Sequence, residues 1–392
     1  MSHIALVIPT LDRIGGAEQQ TILLAQGLQA RGWQVSVVAL SGSESPACAA
    51  LLAHGVTFLS LCMRNGLADP RGWIRFHRWL RRTKPDIVHA HLSHAAWLAR
   101  WSRLAVPVRV LVDTLHSSST GTKGRRLGYH FSKWLPDRVT AVSHAVAETH
   151  LAAHMVRPRY FQVLPNGIDP GQWQPDAMVR SSVRQEFGLE DSFVWFAAGR
   201  LEAVKDYPTL LRAFAATPES ARLIIAGDGP LAEGLRSLSR QLGIEHRVSF
   251  LGFEPNVLRW MQSADGFVLT SRWEGLPMAL LEASASALPA VVTDIPGTSE
   301  VMLQGLTGLL VPVGSVFAVQ SAMTRLMHLP LQDRCTMGRR ARRNVETHFS
   351  LSAVLDRWEE LYNGLLESNT KVRRWSKQRK PGTNSPEKRT AC

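Results

Sequence analysis

Short apolar runs alternate with longer amphipathic segments along the whole chain. Runs of about four to six apolar residues are typical of strands buried on both faces. The segments between them suit helices, so the pattern predicts parallel sheets with helices on both faces. In the first half, the predicted strands are Ile4–Ile8, Val35–Leu40, Ile87–Ala90, Val108–Val112, Arg138–Val142 and Phe161–Leu164. In the second half, they are Phe193–Ala198, Arg222–Ala226, Val248–Leu251, Gly266–Leu269, Ala290–Thr293 and Gly308–Val311.

The alternation of strands and helices predicts two doubly wound halves. Pro165–Pro170 is rich in turn residues and leads into a polar stretch, which places a domain boundary just after it. We therefore predict one domain over residues 1–175 and a second over residues 176–350, with a cleft between them. Residues 369–392 are rich in Lys, Arg, Ser and Pro, and this composition predicts a disordered basic tail.

Composition and length are those of a globular protein. The chain has 392 residues, 45% of them hydrophobic and 20% charged, which is enough for two sizeable cores. No apolar run approaches 18 residues, so a transmembrane helix is not expected. The first apolar run suits a strand better than a signal peptide. The four cysteines show no metal-binding spacing, and a cytoplasmic location is the simplest expectation.

Two carboxylates, Glu274 and Glu282, flank a predicted strand-to-helix junction. The strand Gly266–Leu269 precedes them, and Pro277 suits the first turn of a helix because its missing N–H is not needed there. Helix N-termini attract phosphate, and carboxylates accept hydrogen bonds from vicinal hydroxyls. The arrangement favours a nucleotide-sugar site, although surface helices often carry glutamates at such a spacing.

Two more segments end predicted strands in the second half. Gly199–Leu201, with Lys205 close behind, follows Phe193–Ala198, and Gly227–Pro230 ends the next strand. In combination with the two glutamates, this set resembles the C-terminal half of the retaining glycosyltransferases of family 4, also called glycosyl transferases group 1. The resemblance implies the GT-B fold, two Rossmann-like domains facing each other across a cleft. It also implies a C-terminal helix, residues 351–368, that crosses back to the first domain.

The resemblance assigns roles to four side chains. Arg200 and Lys205 would stabilise the negative charge that builds on the departing diphosphate. Glu282 would bind the ribose hydroxyls and Glu274 the donor sugar. The implied reaction retains the anomeric configuration by a front-face displacement, in which the leaving phosphate accepts the acceptor's proton. Glu274 would then act in catalysis by positioning and electrostatics more than as a base.

The backbone near the start of the helix is expected to contribute as well. By the same resemblance, N–H groups near Met278 and Ala279 would meet phosphate or sugar oxygens. Asp206 and Pro277 stand where many family members have glycine, which leaves the local backbone geometry open. The chain contains no Asp-x-Asp pair, the motif that holds a divalent ion in transferases of another fold. We therefore expect no cofactor and no catalytic metal.

The first half offers a glycine pair and a histidine. Gly15 and Gly16 follow the first strand and open a helix, where glycine lets the backbone approach a pyrophosphate. Most glycine pairs are only turns, but this one resembles the family's N-terminal glycine-rich loop. His116 follows a strand-like run, and the resemblance implies that it faces the donor sugar as a catalytic residue. Four other histidines compete for that role: His89, His91, His94 and His144.

Charge suggests an anionic partner. The formal net charge is +13 and the pI about 10.2, and Lys371–Cys392 holds eight Lys or Arg and one Glu. Residues 71–82 mix arginines with an aromatic band, which suits either an anionic membrane surface or an ordinary helix with its aromatic face on the sheet. Residues 123–133 add basic and apolar side chains to the same domain. Peripheral contact with the inner face of the cell membrane is therefore a hypothesis.

Three functions remain open at this point. The first is a retaining hexosyltransferase that uses a nucleotide-sugar donor, with UDP as the favoured carrier, and a lipid-linked or polysaccharide acceptor. It would act in the biosynthesis of a surface polysaccharide or lipopolysaccharide. The second is a sugar-nucleotide epimerase or hydrolase of the same fold. The third is a nucleic-acid-binding protein, which the pI alone suggests and which no recognition motif supports.

Overall fold

The first half of the chain forms a seven-stranded parallel sheet. The computed structural model describes residues 1–12, 14–42 and 45–378, with side chains described up to residue 369. The sheet order is β3-β2-β1-β4-β5-β6-β7, and all neighbours pair in parallel. These strands are β1 (His3–Ile8), β2 (Gln34–Ala39), β3 (Thr57–Ser60), β4 (Ile87–His91), β5 (Val110–Leu115), β6 (Arg138–Ala141) and β7 (Phe161–Val163).

The second half repeats the architecture with six strands. The order is β10-β9-β8-β11-β12-β13, again with parallel neighbours. The strands are β8 (Phe193–Ala198), β9 (Ala221–Ala226), β10 (Val248–Gly252), β11 (Gly266–Leu269), β12 (Ala290–Thr293) and β13 (Gly308–Val311). Parallel sheets need crossover helices, which bury both faces. The prediction of two doubly wound domains is confirmed.

Helices connect nearly every pair of strands. In the first half they are α1 (Gly16–Ala30), α2 (Pro46–Ala53), α3 (Pro70–Thr83), α4 (Ser93–Ala105), α5 (Lys123–Ser132) and α6 (His144–Ala152). The second half contains α7 (Ala177–Glu186), α8 (Tyr207–Ala215), α9 (Ala232–Gln241), α10 (Val257–Ser263), α11 (Met278–Ala285), α12 (Pro296–Ser299), α13 (Val316–His328), α14 (Leu331–His348) and α15 (Leu351–Gln378). Short 3-10 turns lie at Gly66–Ala68, Pro158–Tyr160, Ala203–Lys205 and Glu245–Arg247.

Two strands differ from the sequence-based prediction by more than one residue at an end. The strand β3 was not predicted, because Thr57–Ser60 is an edge strand of only four residues that is not fully buried. The strand β5 begins later than the predicted Val108–Val112 and continues through Asp113. The predicted strand stopped at Val112 because the next residue, Asp113, is polar, although it lies buried inside the strand. Its carboxylate accepts a hydrogen bond from Arg100 Nε at 2.5 Å.

This buried ion pair fixes the position of α5. Besides Asp113, the guanidinium of Arg100 donates to Ser132 Oγ at 2.9 Å and lies over the ring of Tyr129, both of which belong to α5. Because breaking a buried pair leaves an uncompensated charge, the contact holds α4, β5 and α5 together. The outer surface of α5 is therefore presented in a defined orientation.

The helix α3 packs its aromatic face inward. Phe76, Trp79 and Leu80 are buried in the core of the first domain, whereas Ile74 is exposed. The aromatic band of residues 71–82 is therefore not available to a membrane. Of the two interpretations of this segment, the ordinary amphipathic helix is the one that the structure shows.

The helix α15 lies against the first domain. Tyr362 donates to or accepts from His89 Nδ1 at 2.7 Å, and Glu359 binds both Arg31, at 2.6 Å, and Trp33 Nε1, at 2.7 Å. The helix continues to Gln378 and so enters the segment 369–392 that was predicted as a disordered tail. Residues 369–378 contain no Pro or Gly that would end the helix. The remaining tail, residues 379–392, lies outside the described residues.

Candidate functional site

Glu274 and Lys205 form an ion pair at the carboxyl end of the second sheet. Glu274 Oε1 accepts hydrogen bonds from Lys205 Nζ at 2.5 Å and from Ser271 Oγ at 2.6 Å. Both side chains of the pair are mostly buried: Lys205 is 17% exposed and Glu274 is 14% exposed. The loop that carries Glu274 follows β11, as predicted, and a 3-10 turn after β8 brings Lys205 to it.

Asp206 occupies a position where glycine is common, and the structure shows why aspartate is tolerated there. Its φ of 48° lies in the left-handed region, which aspartate tolerates better than most residues. Its buried carboxylate accepts a hydrogen bond from Arg272 Nε at 3.3 Å. The side chain therefore ties the turn that ends at Lys205 to the loop that carries Glu274.

The loop after β8 depends on two glycines. Gly199 and Gly227 have φ values of 150° and 147°, and a Cβ atom on Gly227 would lie 2.0 Å from the carbonyl oxygen of Gly199. The hydroxyl of Tyr207 donates to this same carbonyl at 3.1 Å. Burial raises the pKa of Tyr207, so that the phenol keeps its proton. The backbone next to Arg200 is thus held rigidly.

Arg200 is not part of the buried pair. Its side chain is 68% exposed and contacts Glu202 at 3.1 Å. An exposed pair of this kind contributes little to stability. The guanidinium is therefore free to exchange Glu202 for an anionic ligand at small cost.

The N-terminus of α11 presents free backbone donors. Pro277 is the residue before the helix, and the amides of Leu280 and Leu281 both donate to its carbonyl oxygen. The amides of Met278 and Ala279 have no acceptor among the described residues. Free N–H groups and the helix dipole make this point a suitable anion site.

The N-terminus of α1 lies beside that of α11. A Cβ atom on Gly16 would stand 3.3 Å from Met278 Cγ, so the first domain approaches the second here. The amide of the preceding Gly15 donates to Glu18 Oε2 at 3.0 Å. The glycine pair therefore permits close contact between the domains, and two helix N-termini meet at one point.

Glu282 faces a cavity of about 120 Å³ between the domains. The cavity is also lined by Gln19 and Leu23 of α1, by Asp169 and by Leu258. No hydrogen bond joins the Glu282 carboxyl group to another described residue, and burial raises its pKa to about 7. A hydroxyl-bearing ligand in this cavity would supply the donors that the carboxylate lacks.

The backbone of His116 lies at the boundary between the two domains. Its ring Nε2 lies 3.0 Å from His91 Nδ1, and burial lowers the pKa of His116 to about 4, so that the ring is neutral. A Cβ atom on Gly275 would lie 2.1 Å from the His116 carbonyl oxygen. Burial likewise holds the pKa of His89 and of His91 well below the usual value. The structure thus sets His116 next to the loop that carries Glu274.

The pair His89 and His91 is used within the first domain. Besides Tyr362, His89 binds Thr114 Oγ1 at 2.6 Å, so both of its ring nitrogens have partners. In the part of the chain that the structure describes, no group of three His, Cys, Asp or Glu side chains is arranged to hold a metal ion. Metal independence stays a prediction.

Three polar contacts between the domains were not predicted. Ser118 Oγ donates to the carbonyl oxygen of Glu274 at 3.4 Å, and Asn166 Nδ2 donates to that of Leu276 at 3.2 Å. Glu300 accepts hydrogen bonds from the amides of His144 and Ala145, both at 3.0 Å. Only the position of Asn166 in a turn-rich segment gave a signal in the sequence. The other contacts depend on domain closure, which no local pattern encodes.

Comparison with known proteins identifies the family. Residues 14–172 match the family model described as Glycosyltransferase Family 4, and residues 179–344 match the one described as Glycosyl transferases group 1. The chain is 31% identical over 306 residues to N-acetyl-alpha-D-glucosaminyl L-malate synthase of Bacillus anthracis, which covers 74% of this chain and 77% of that protein. The chain belongs to the family 4, group 1 glycosyltransferases.

Other relatives of this glycosyltransferase build lipid-linked glycans and polysaccharides, according to their names. The chain is 28% identical over 325 residues to the Escherichia coli UDP-Gal:alpha-D-GlcNAc-diphosphoundecaprenol alpha-1,3-galactosyltransferase, with 77% of this chain and 82% of that protein covered. It is also 28% identical over 357 residues to the lipopolysaccharide core biosynthesis glycosyltransferase LpsD of Rhizobium meliloti, at 89% and 95% coverage.

Solved structures share the fold of this glycosyltransferase. Anabaena Alr3699/HepE in complex with UDP and glucose superposes with a TM-score of 0.83, covers 92% of this chain and 99% of its own, and is 21% identical. WaaG, a glycosyltransferase involved in lipopolysaccharide biosynthesis, superposes with a TM-score of 0.74 over 92% of this chain and 100% of its own, at 17% identity. The predicted GT-B fold is confirmed.

Proposed function

We propose that this glycosyltransferase moves a hexose-type sugar from a nucleotide-diphosphate sugar, with UDP as the carrier, to a lipid-linked or polysaccharide acceptor. We further propose that it retains the anomeric configuration and needs no metal. The observation that carries the proposal is the Lys205–Glu274 ion pair beside the paired N-termini of α1 and α11. A cation and the free amides at the start of α11 suit a diphosphate, and a neighbouring carboxylate suits a sugar hydroxyl.

In this proposal the donor lies across the start of α11. Its diphosphate meets the amides of Met278 and Ala279 and the cations of Arg200 and Lys205. Arg200 gives up its contact with Glu202 for the diphosphate, which costs little because the side chain is exposed. The ribose hydroxyls enter the cavity beside Glu282 and donate to its carboxylate.

UDP as the carrier rests on the relatives. The galactosyltransferase from Escherichia coli is named for UDP-Gal, and the Alr3699/HepE structures contain UDP or UDP-glucose. In the reaction, the bond between the anomeric carbon and the diphosphate breaks and charge grows on the departing UDP. Fixed cations and amides stabilise that charge without reorganising. The leaving phosphate takes the acceptor's proton, while Glu274 and His116 position the sugar.

A lipid-linked acceptor would require contact with a membrane. In the described residues no helix is long and apolar enough to span a bilayer. The outer face of α5 and the turn after it expose Leu127, Phe131 and Trp134, at 58%, 67% and 64%. Arg157 lies over the Trp134 ring at 4.3 Å, and Lys133 is adjacent. Exposed apolar side chains among cations suit an anionic lipid surface at the inner face of the membrane.

Donor binding tests the proposal directly. Thermal-shift measurements with UDP, GDP, ADP and their hexose conjugates should give a rise in Tm with UDP and its conjugates. The rise should be lost in Glu282→Ala and reduced in Arg200→Ala. No shift with any nucleotide would overturn the proposed donor site. A rise in Tm with GDP or ADP alone would identify that nucleotide, and not UDP, as the carrier.

Product analysis separates the remaining alternatives. Proton NMR of the product formed from UDP-α-hexose should show an α-linked sugar on the acceptor if the configuration is retained. Activity after exhaustive chelation should equal the untreated activity if no metal takes part. Release of free hexose alone, or a changed sugar on UDP, would favour a hydrolase or an epimerase. Binding of random DNA with no nucleotide-sugar turnover would favour the nucleic-acid-binding alternative.

A further inference from the structure

A second cavity opens beside the Glu274 loop. It has a volume of about 520 Å³ and lies between the domains, with Glu274, Arg272 and Trp273 on one wall and α6 and residues 118–121 on the other. It shares no lining residue with the cavity beside Glu282. Its volume lies in the range of about 300–1,000 Å³ that is usual for small-molecule sites. Of these two cavities, the Glu274 loop lines only the second.

Glu148 is the unpaired charge of this cavity. It is exposed on α6, and no described residue forms a hydrogen bond or ion pair with its carboxylate. The neighbouring Thr149 hydroxyl donates to the Ala145 carbonyl oxygen at 2.9 Å, which leaves its lone pairs as acceptors. Both groups therefore offer acceptors, which is what the hydroxyls of a sugar need.

The opposite wall offers an aromatic surface. Trp273 is 48% exposed, and aromatic rings have an apolar face that can cover the C–H groups of a sugar ring. The neighbouring Arg272 is engaged by the buried carboxylate of Asp206, so its charge is largely compensated. With Glu148 unpaired, the cavity disfavours a phosphate and favours a neutral ring.

The rim of the cavity leads to the exposed face of α5. Residues 118–121 line the cavity and lead through Thr122 into α5, whose Leu127 and Phe131 are exposed. Ser118 also binds the Glu274 carbonyl oxygen. A glycolipid whose sugar lay in the cavity would therefore find an apolar surface next to the opening.

We propose that this cavity is the acceptor subsite and that it takes a neutral sugar unit. Glu148 accepts hydrogen bonds from the sugar's hydroxyls, and Trp273 covers one face of its ring. This inference rests on the proposed function, since an acceptor subsite requires a transferase reaction. It assigns recognition of the acceptor to residues that take no part in the proposed donor site.

Neutral octyl glycosides are suitable probes, because each joins one sugar ring to a short alkyl chain. Binding of a panel of these glycosides to the UDP-loaded protein would be measured by ligand-observed NMR, and transfer by release of UDP. At least one glycoside should bind to the wild-type protein. A hydrogen bond to a charged acceptor contributes about 1 kcal/mol more than one to a neutral acceptor, so Glu148→Gln should weaken that binding about fivefold. Trp273→Ala, which removes the ring that covers the sugar, should weaken it as well.

The donor side provides the control. The UDP-induced rise in Tm should be unchanged in Glu148→Gln, and Glu245→Gln, an exposed glutamate outside both cavities, should leave glycoside binding unchanged. Failure of every neutral glycoside to bind, or unaltered glycoside binding in Glu148→Gln, would overturn the acceptor subsite alone. Absence of a UDP shift in the wild-type protein would instead count against the proposed function.

Discussion

The carbonyl oxygen of His116 occupies the space next to Gly275 that any larger residue would need. A Cβ atom at position 275 would lie only 2.1 Å from it. The two residues belong to different domains; His116 is itself a proposed catalytic residue, and Gly275 follows Glu274 in the chain. The absence of a side chain on Gly275 is therefore a condition for the closed arrangement of the domains.

We predict that Gly275→Ala holds the domains apart. Because backbone atoms cannot yield as a flexible side chain can, the cleft must open to admit the methyl group. Small-angle X-ray scattering should show a larger radius of gyration, and sugar transfer should fall by more than tenfold. Gly234→Ala is the control, since a Cβ there meets nothing within 4 Å. An unchanged radius and activity in Gly275→Ala would contradict the prediction.

The sequence allowed the two parallel sheets to be predicted with good accuracy, whereas the roles of the site residues stay predictions. Four strands, β8, β11, β12 and β13, have the predicted bounds, because strands that are buried along almost their whole length appear as uninterrupted apolar runs. The Lys205–Glu274 contact was not predicted, since the residues are far apart in sequence and only the parallel sheet brings them together. The aromatic band of residues 71–82 was ambiguous, because the same amphipathic pattern suits a core and a membrane.

The first-domain side of the site was harder to predict. Hydrogen bonds such as Glu300 to His144 join residues more than 150 positions apart and exist only when the domains are closed. The contact between His91 and His116 likewise depends on the register of β4 against β5, which aligns Ala90 with Asp113 and His91 with Thr114. Single-residue patterns carry no information on such pairings.

Glu300 should act as a latch between the domains. Its carboxylate accepts hydrogen bonds from the amides of His144 and Ala145 at the start of α6. Within the first domain, Ser143 Oγ accepts a hydrogen bond from the amide of Val146 in the same helix. We predict that Glu300→Ala favours the open form and lowers turnover. The expected loss of stability is about 1 kcal/mol, as for other helix caps. Scattering and kinetics of the UDP-loaded protein would measure both effects.

Ser143→Ala provides the matched comparison for the latch. It removes a cap from the same helix without touching the other domain, so it should lower Tm by a similar amount and leave the radius of gyration unchanged. If both variants opened the cleft equally, the effect would belong to α6 and not to the contact made by Glu300.

The carboxyl group of Glu282 should make stability depend on pH. Its pKa is raised to about 7 in the folded protein, above the usual value of 4.5. Between these values the folded state holds a proton that the unfolded state has lost, so stability falls as the pH rises through this range. Glu282→Gln has no such group. Its Tm relative to the wild-type protein should therefore increase from pH 5 to pH 8.

Donor binding should show the opposite trend. Ionised Glu282 accepts hydrogen bonds from ribose hydroxyls better than the protonated acid does, so the affinity of the wild-type protein for UDP should rise from pH 6 to pH 8. UDP itself titrates, but this affects both proteins alike. The ratio of wild-type to Glu282→Gln affinity, measured by calorimetry, should thus increase with pH; a constant ratio would exclude ribose binding by the carboxylate.

Lys205 and Glu274 should be energetically coupled. Removing Lys205 leaves a mostly buried carboxylate with Ser271 as its only side-chain donor among the described residues, and removal of one partner from such a pair is costly. We predict that Lys205→Ala lowers the free energy of unfolding by about 1–3 kcal/mol in the wild-type background and by clearly less in Glu274→Gln. A double-mutant cycle in urea measures this difference, and additive effects would contradict it.

Arg200→Ala, which removes an exposed cation, should change stability by less than about 0.5 kcal/mol.

The exposed face of α5 should bind anionic membranes. The combined substitution of Leu127, Phe131 and Trp134 by Ser removes the apolar contact area, whereas Ile74→Ser removes an exposed apolar residue from α3. Sedimentation with phosphatidylglycerol vesicles should recover the wild-type protein and Ile74→Ser but little of the triple variant. Neutral phosphatidylcholine vesicles should recover less of every protein, because nearby cations such as Lys133 and Arg157 attract anionic lipid. Removal of residues 379–392 in each protein separates the contribution of the basic tail. If the triple variant sedimented like the wild-type protein even without the tail, α5 would not be the membrane contact, and a lipid-linked acceptor would have to reach the cleft by another face.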